Sequence, residues 1–197
     1  ADRTLGTRLS RLLREDDAIT VREMAARGLA RFVEMAVERK LSTKEGARIV
    51  AALEASLSDS SEGEHVRLRA LEAIAPVGGE TVTARIRDVY LSGDPAARQS
   101  AVFCMARTNA PRWLPEVLIE LESDDPVLRY EAAFALGEIG EEGHALHLSS
   151  ALEDEDAEVV SAAASSLSKL GGPTAKKMLE AAAAGDDPVQ AKAAGDA

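Results

Sequence analysis

Apolar residues between residues 63 and 171 recur at intervals of three, which is the spacing of one stripe along an α-helix. The first set is Leu71, Ile74 and Val77. The same positions return three more times along the chain, at Val102, Met105 and Thr108, at Ala133, Leu136 and Ile139, and at Ala164, Leu167 and Leu170. Each set therefore predicts a helix with one stripe facing a core.

Residues at the two ends of these helices repeat with the same period of 31 residues. An Asp precedes most of the predicted helices, at Asp94, Asp125, Asp156 and Asp187, and Pro follows three of them. An Asp side chain accepts hydrogen bonds from the free N–H groups of a helix start, where Pro is also well tolerated. The predicted helix stops are Gly78, Asn109, Gly140 and Gly171. Gly and Asn are the residues that best adopt the left-handed conformation of such a stop.

A second, shorter helix is predicted after each stop. Its apolar residues are Ile86, Val117, Leu148 and Leu179 and, four residues later, Tyr90, Leu121, Leu152 and Ala183. One helix pair with two apolar stripes cannot bury both by itself, so successive pairs must stack. The sequence thus predicts an all-α fold of stacked antiparallel helix pairs.

Four segments carry this pattern and resemble the HEAT-like repeats, in the short form named after phycobilisome lyases. They are Glu64 to Gly78, Asp94 to Asn109, Asp125 to Gly140 and Asp156 to Gly171. The resemblance implies a right-handed α-α superhelix whose second helices line the concave side. It also implies that Arg129 joins a ladder with the repeated Asp residues, and that Val160 interrupts this ladder in the last full repeat.

The repeat register suggests three parts of one continuous solenoid. Residues 1–60 do not fit the period and are interpreted as an N-terminal helical cap with an enlarged first repeat. Residues 61–185 are predicted to form four regular 31-residue repeats. Residues 186–197 restart the pattern as a partial C-terminal repeat or a cap.

Composition and charge narrow the possible functions. The chain is 46% hydrophobic but only 3% aromatic, so its core must consist mainly of aliphatic side chains. The net charge is −11, and between Glu116 and Glu158 Arg129 is the only basic residue among 14 carboxylates. Such a surface disfavours nucleic-acid binding, which depends on Lys and Arg contacts to phosphate. No apolar run approaches the length of a membrane span, and a cytoplasmic location is the expectation.

The candidate binding face is formed by second-helix positions that point away from both stripes. Apolar residues stand there among carboxylates. They predict a non-enzymatic scaffold that binds a partner protein or peptide, with a basic segment as the expected ligand. Trp113 lies at the edge of this face and either anchors the partner or fills a gap between helices. The predicted partner-binding residues are Asp88, Leu91, Arg112, Trp113, Pro115, Ile119, Glu122, Leu146, Ser150 and Glu153.

Two histidines suggest an alternative. His144 and His147 share a face of a predicted helix and could hold a metal ion, which would make the chain a lyase-like or metal-dependent enzyme accessory. Both also occupy ordinary repeat positions, and the His-Glu dipeptides of di-iron HEAT-repeat enzymes are absent from the sequence. No cofactor is therefore predicted. A monomer or weak self-association is expected, the latter through the basic leading helix with Arg3, Arg8, Arg11 and Arg14.

Overall fold

The computed structural model describes residues 3–197, with side chains from Thr4 onward. Within this range every element is helical, which confirms the all-α prediction. The α-helices are α1 Arg3–Glu15, α2 Ile19–Val37, α3 Thr43–Ser58, α4 Glu64–Ile74, α5 Gly79–Tyr90, α6 Pro95–Arg107, α7 Leu114–Glu120, α8 Pro126–Ile139, α9 Ser149–Leu152, α10 Ala157–Leu170, α11 Gly172–Ala184 and α12 Pro188–Asp196. Three 3-10 segments supplement them, at Ala75–Val77, Pro111–Trp113 and Glu142–Leu148.

The chain divides into two compact units, Ala1–Cys104 and Met105–Ala197, with the boundary inside α6. In the first unit, α2 packs against α1, α3 and α4. Leu29, Leu53 and Leu71 are fully buried there, and burying one such side chain contributes about 1.5–3 kcal/mol. This division into two units does not test the predicted repeat boundaries, which stay predictions.

The second unit is built around α8 and α10, which lie against each other. Their facing sides carry small residues, and Gly137 meets Ser166. A Cβ atom on Gly137 would come within 2.7 Å of Ser166 Cβ and 2.9 Å of Ser166 Cα, closer than side chains normally approach. This close contact explains why a glycine stands in the middle of α8, where it otherwise weakens a helix.

The predicted Asp caps are confirmed. The Asp125 carboxylate accepts from Val127 N–H at 2.9 Å, and Asp156 accepts from Glu158 N–H at 2.8 Å. Asp94 and Asp187 cap α6 and α12 in the same way. These bonds satisfy backbone donors that the first turn of a helix leaves free.

The predicted left-handed stops are confirmed at three of four positions. Gly78, Asn109 and Gly171 have positive φ angles of 66°, 49° and 69°. Gly140 does not, because its φ is −83°. Glycine is needed there for space instead, since a Cβ atom would collide with the carbonyl oxygen of Leu136.

In each unit an arginine bridges two connections between helices, and we call these two sites the arginine clamps. Arg22 donates from Nε and Nη2 to both carboxylate oxygens of Glu62 at 2.9 Å. Arg129 donates likewise to Asp154, at 2.6 and 2.9 Å. In both clamps Nη1 donates to the carbonyl oxygens five and six residues earlier.

The clamp in the second unit differs from the ladder that the resemblance implied for Arg129. Arg129 does pair with a carboxylate of the next helix pair, but its partner is Asp154 and not the capping Asp156. Asp154 also accepts from Asp156 N–H at 2.9 Å, so it orients the start of α10 as well. Because Arg129 donates directly to it, the pKa of Asp154 lies below its usual value and the carboxylate stays ionised.

The second elements that follow α6 and α8 are less regular than expected, because each begins as a 3-10 helix. The stretch that follows α8 begins as a seven-residue 3-10 helix, Glu142–Leu148, and only four residues of α-helix follow it. Runs of 3-10 helix this long are uncommon. No helix formed by residues 3–197 combines the length and apolar character that crossing a membrane requires.

Candidate functional site

Two large apolar side chains of the second unit lie in solvent on the less regular elements. Ile119 on α7 is 62% exposed, and Leu146 in the 3-10 segment is 66% exposed. Their neighbours Val117 and Leu148 are fully buried. Each element therefore turns one side to the core and leaves an apolar residue exposed on the other side.

Carboxylates surround these apolar residues along the sequence. Glu122 follows the end of α7 and Glu153 follows the end of α9, and both are exposed. Between residues 116 and 158 seven carboxylates are exposed, and within the described chain none of them forms an ion pair: Glu122, Asp124, Glu141, Glu142, Glu153, Glu155 and Glu158. The second unit thus presents uncompensated negative charge on this stretch.

The one basic residue of this stretch does not offset that charge at the surface. Arg129 is engaged by Asp154 at 2.6 Å, and its guanidinium also serves two backbone carbonyls. Lys169, from outside the stretch, pairs with Glu138 at 2.5 Å. These two cations are therefore engaged inside the unit and do not neutralise the seven exposed carboxylates.

The structure places most of the predicted face in solvent and corrects one member of it. Arg112, Pro115 and Ser150 are exposed in the second unit. Trp113 has no exposed surface at all, so it cannot be a contact residue of the resting surface. The 3-10 segment Pro111–Trp113 directs the indole into the core, which is the second of the two roles that its position suggested. A signal was present in the sequence, since Val82 and Ala175 at equivalent positions are both buried apolar residues.

Two members of the predicted face belong to the first unit. Leu91 at the end of α5 is 72% exposed. Asp88 lies 4.0 Å from Arg85 and, with Glu54 of α3, lines a cavity of about 590 Å³ between α3 and α5. Glu54 was not among the predicted residues, because it precedes the regular repeats. Arg85 donates to the carbonyl oxygen of Leu57 at 2.9 Å and so joins α5 to α3 beside this cavity.

His144 has a structural partner. Its Nδ1 atom accepts from Glu141 N–H at 3.0 Å, while the Glu141 side chain accepts from the backbone of His144. This reciprocal arrangement is a capping box for the 3-10 segment. The rings of His144 and His147 lie 6.2 Å apart, and residues 3–197 contain no group of three or more His, Cys, Asp or Glu side chains that could hold a metal ion.

Known proteins share parts of this sequence pattern and architecture. Residues 114–197 match the family model for HEAT repeats. Deoxyhypusine hydroxylase from Rattus norvegicus is 28% identical over 93 residues, which are 46% of this chain and only 31% of that protein. The chain therefore spans about a third of the length of this curated relative.

Solved structures extend the likeness to nearly the whole chain. The complex of CpcE and CpcF of phycocyanin lyase from Nostoc sp. PCC7120 is similar with a TM-score of 0.61 and 20% identity, over 96% of this chain and 74% of that one. A designed armadillo repeat protein in complex with peptide (KR)4 is similar with a TM-score of 0.54 and 16% identity, over 95% of both chains. At such identities the likeness concerns the fold alone. Together with the 31-residue helix pairs and the match over residues 114–197, it shows that the chain has the fold of the HEAT-like helical repeats.

Proposed function

We propose that this chain is a non-enzymatic scaffold that binds a basic segment of a partner protein on the exposed second elements of its second unit. The observation that carries the proposal is the exposure of Ile119 and Leu146 on elements that are followed in the sequence by the unpaired carboxylates Glu122 and Glu153. We call these four residues the acidic apolar face. An apolar centre with a charged rim is the usual composition of a protein-binding surface.

The chemistry of the face selects the class of partner. Ile119 and Leu146 offer area for aliphatic or aromatic side chains, and each would gain about 25 cal/mol per Å² of apolar surface removed from water. The carboxylates favour Lys and Arg, whose methylene stems can cover apolar surface while their charged ends reach Glu122 and Glu153. A basic amphipathic helix or strand satisfies both requirements.

The comparisons make such a ligand feasible for this fold. HEAT and armadillo repeats are related helix-repeat architectures, and one of the similar structures holds the basic peptide (KR)4. The sequence identity of 16% transfers the architecture and not the ligand. Support for a basic partner therefore comes from the carboxylates of this chain.

The test uses a fluorescent peptide in which Lys and Leu alternate with helical spacing. Its dissociation constant is measured by anisotropy, with the protein at low concentration and at two salt concentrations. We expect binding to weaken about tenfold or more with Glu122→Lys/Glu153→Lys, which corresponds to about 1.4 kcal/mol or more. It should also weaken as salt rises, because the carboxylates are exposed and screened.

Matched controls separate a specific face from general charge attraction. Glu180→Lys/Asp196→Lys makes the same change in net charge outside residues 116–158 and should leave affinity within about twofold. Ile119→Ser/Leu146→Ser should weaken the peptide, whereas Val189→Ser, a change at another exposed apolar residue, should not. Equal losses of peptide affinity in the control and test variants, or a dissociation constant that does not change with salt concentration, would refute the proposal.

The enzymatic names of two similar proteins define the main alternative, an enzyme accessory that uses His144 and His147. In that case His144 would have to release the Glu141 N–H group to bind a metal through Nδ1. Metal analysis of purified protein distinguishes the two. Stoichiometric metal that His144→Ala and His147→Ala both remove would favour the alternative, and a metal content unaffected by these changes would not.

A further inference from the structure

The first helix of the chain has the chemistry that the acidic apolar face calls for. On α1, Leu13 is buried against the rest of the first unit, while Arg8, Arg11 and Arg14 are exposed. Residues three apart lie on the same side of a helix, so the three guanidinium groups form one stripe. Leu5 borders this stripe and is 45% exposed. The side chain of Arg3, the fourth arginine of the basic leading helix, lies outside the described residues.

Among residues 3–197 this stripe has little ionic compensation. Neither Arg8 nor Arg11 forms an ion pair there, and Arg14 pairs with the exposed Glu15 at 3.8 Å and donates from Nε to the carbonyl oxygen of Ser10 at 3.2 Å. Exposed pairs at such a distance contribute little. The α1 stripe is thus a free cationic surface with an apolar border, on a helix that the rest of the unit already holds in place.

From this complementarity we infer that the chain associates head to tail, with the α1 stripe of one copy on the acidic apolar face of a second copy. The inference rests on the proposed function, because it names this chain itself as one source of the basic segment. Arg8 and Arg11 supply the cations and Leu5 supplies an apolar contact. The face supplies Glu122 and Glu153 as anions and Ile119 and Leu146 as apolar partners.

The form of the assembly follows from the two surfaces being different. An interface between unlike surfaces leaves one free stripe and one free face at the ends, so it produces open chains or rings. The average mass should rise gradually with concentration above the 20.8 kDa of a single chain. It should return to that value at high salt, because both surfaces are exposed and the Debye length shrinks from about 30 Å at 0.01 M to about 3 Å at 1 M.

The experiment is static light scattering on the full chain, over a range of protein and salt concentrations, with two charge-reversed variants. Arg8→Glu/Arg11→Glu and Glu122→Lys/Glu153→Lys should each be monomeric alone, because stripe and face then carry the same sign. An equimolar mixture of the two variants should associate again, since each stripe now meets a face of opposite charge. Recovery in the mixture also shows that neither variant has simply failed to fold.

Controls test the location of the cations. Arg8→Lys/Arg11→Lys should retain association, and so should Arg27→Glu/Arg31→Glu, which makes the same charge change at exposed positions of α2. Association that either reversed variant retains, or a mixture that stays monomeric, would overturn the inference.

The outcome is separable from that of the proposed function. If the wild-type chain is monomeric at every salt concentration while the labelled Lys-Leu peptide still binds and depends on Glu122 and Glu153, the self-association fails and the proposed function stands. If the peptide also fails to bind, both fail. An association that depends on α1 but not on the face would refute this inference and leave the peptide result to decide the other.

Discussion

The two arginine clamps show the same joint built into two differently sized helix pairs. Arg22 and Glu62 are 40 residues apart in the sequence, whereas Arg129 and Asp154 are only 25 apart. The geometry at the joint is nevertheless alike, down to the two carbonyls that each Nη1 atom meets. Extra residues in the first unit lengthen α2 and α3 and leave the joint unchanged.

The surfaces around the two joints differ in charge. In the first unit α1 exposes three arginines, and in the second unit the stretch between residues 116 and 158 exposes seven carboxylates without ion pairs among the described residues. The interior of a repeat therefore limits which residues can hold consecutive helices together, whereas its exterior is free to carry either sign. Function is more informatively sought in this second, variable part of the molecule.

The largest effect on stability is expected from removing the arginine of each clamp. Arg22→Ala and Arg129→Ala should each lower the free energy of unfolding by about 3 kcal/mol, because a mostly buried carboxylate is left without its cation. Glu62 and Asp154 each keep only 8% of their side-chain surface in contact with solvent. Trp113 is the only tryptophan and is buried in the second unit, so its fluorescence reports urea unfolding there.

Native-state hydrogen exchange then separates the two units. Arg129→Ala should accelerate exchange in α8 and α10 more than in α2, and Arg22→Ala should do the reverse. The control is Arg31→Ala, whose pair with Glu34 leaves the arginine 71% exposed and should be worth less than about 1 kcal/mol. Equal costs for Arg31→Ala and Arg129→Ala would contradict the structural role of the clamps.

Sequence reasoning anticipated the clamp arginine but not its partner. The period identified Arg129, and the resemblance to HEAT-like repeats implied that it pairs with the repeated Asp residues. They could not distinguish Asp154 from Asp156, because both stand in the same connection and the choice depends on which one turns inward. Asp156 is committed to Glu158 N–H, which leaves Asp154 for the arginine. In the first unit, outside the period, Glu62 could not be identified by register at all.

The candidate site was predictable to a similar degree. Exposed Ile119 and Leu146 follow from the 31-residue register, because they occupy positions that lie on neither stripe. The burial of Trp113 and the 3-10 geometry of Glu142–Leu148 do not follow from it, since both depend on how a short connection fits into the core. Repetition fixes the elements that pack, while the connecting segments are settled by tertiary contacts.

Lowering the pH perturbs the two clamps less than mutation does, because it protonates the carboxylates and keeps the arginines. The pKa values of Glu62 and Asp154 are both lowered, first by the hydrogen bonds from Arg22 and Arg129. A lowered pKa means that the stabilisation is present above the ordinary values of 4.5 and 3.8, and is lost as the pH falls through the folded-state values. Unfolding free energy measured from pH 6 downwards should therefore fall in acid.

The variants isolate the clamp contribution to this pH dependence. Arg129→Ala and Arg22→Ala should each show a shallower loss of stability in acid than the wild-type chain, because the paired carboxylate then returns towards its ordinary pKa. The loss on acidification should be smaller than that on mutation, because a protonated carboxyl can still hydrogen-bond. An unchanged slope in both variants would show that other carboxylates dominate acid unfolding.

The smallest expected difference concerns how the helix next to each clamp begins. Asp156 caps α10 with a side-chain bond to Glu158 N–H, whereas Gly63 begins α4 with no side-chain cap, and its own N–H donates to Glu62 Oε1 at 2.7 Å. Asp156→Ala should therefore lower the free energy of unfolding by about 1 kcal/mol, and Asp156→Gly by a few tenths, since Gly is itself an acceptable cap. Both variants remove the same carboxylate, so urea unfolding followed by Trp113 fluorescence separates the capping effect from the charge. Equal losses in the two would mean that Asp156 acts mainly through its charge beside Arg129 and not as a cap.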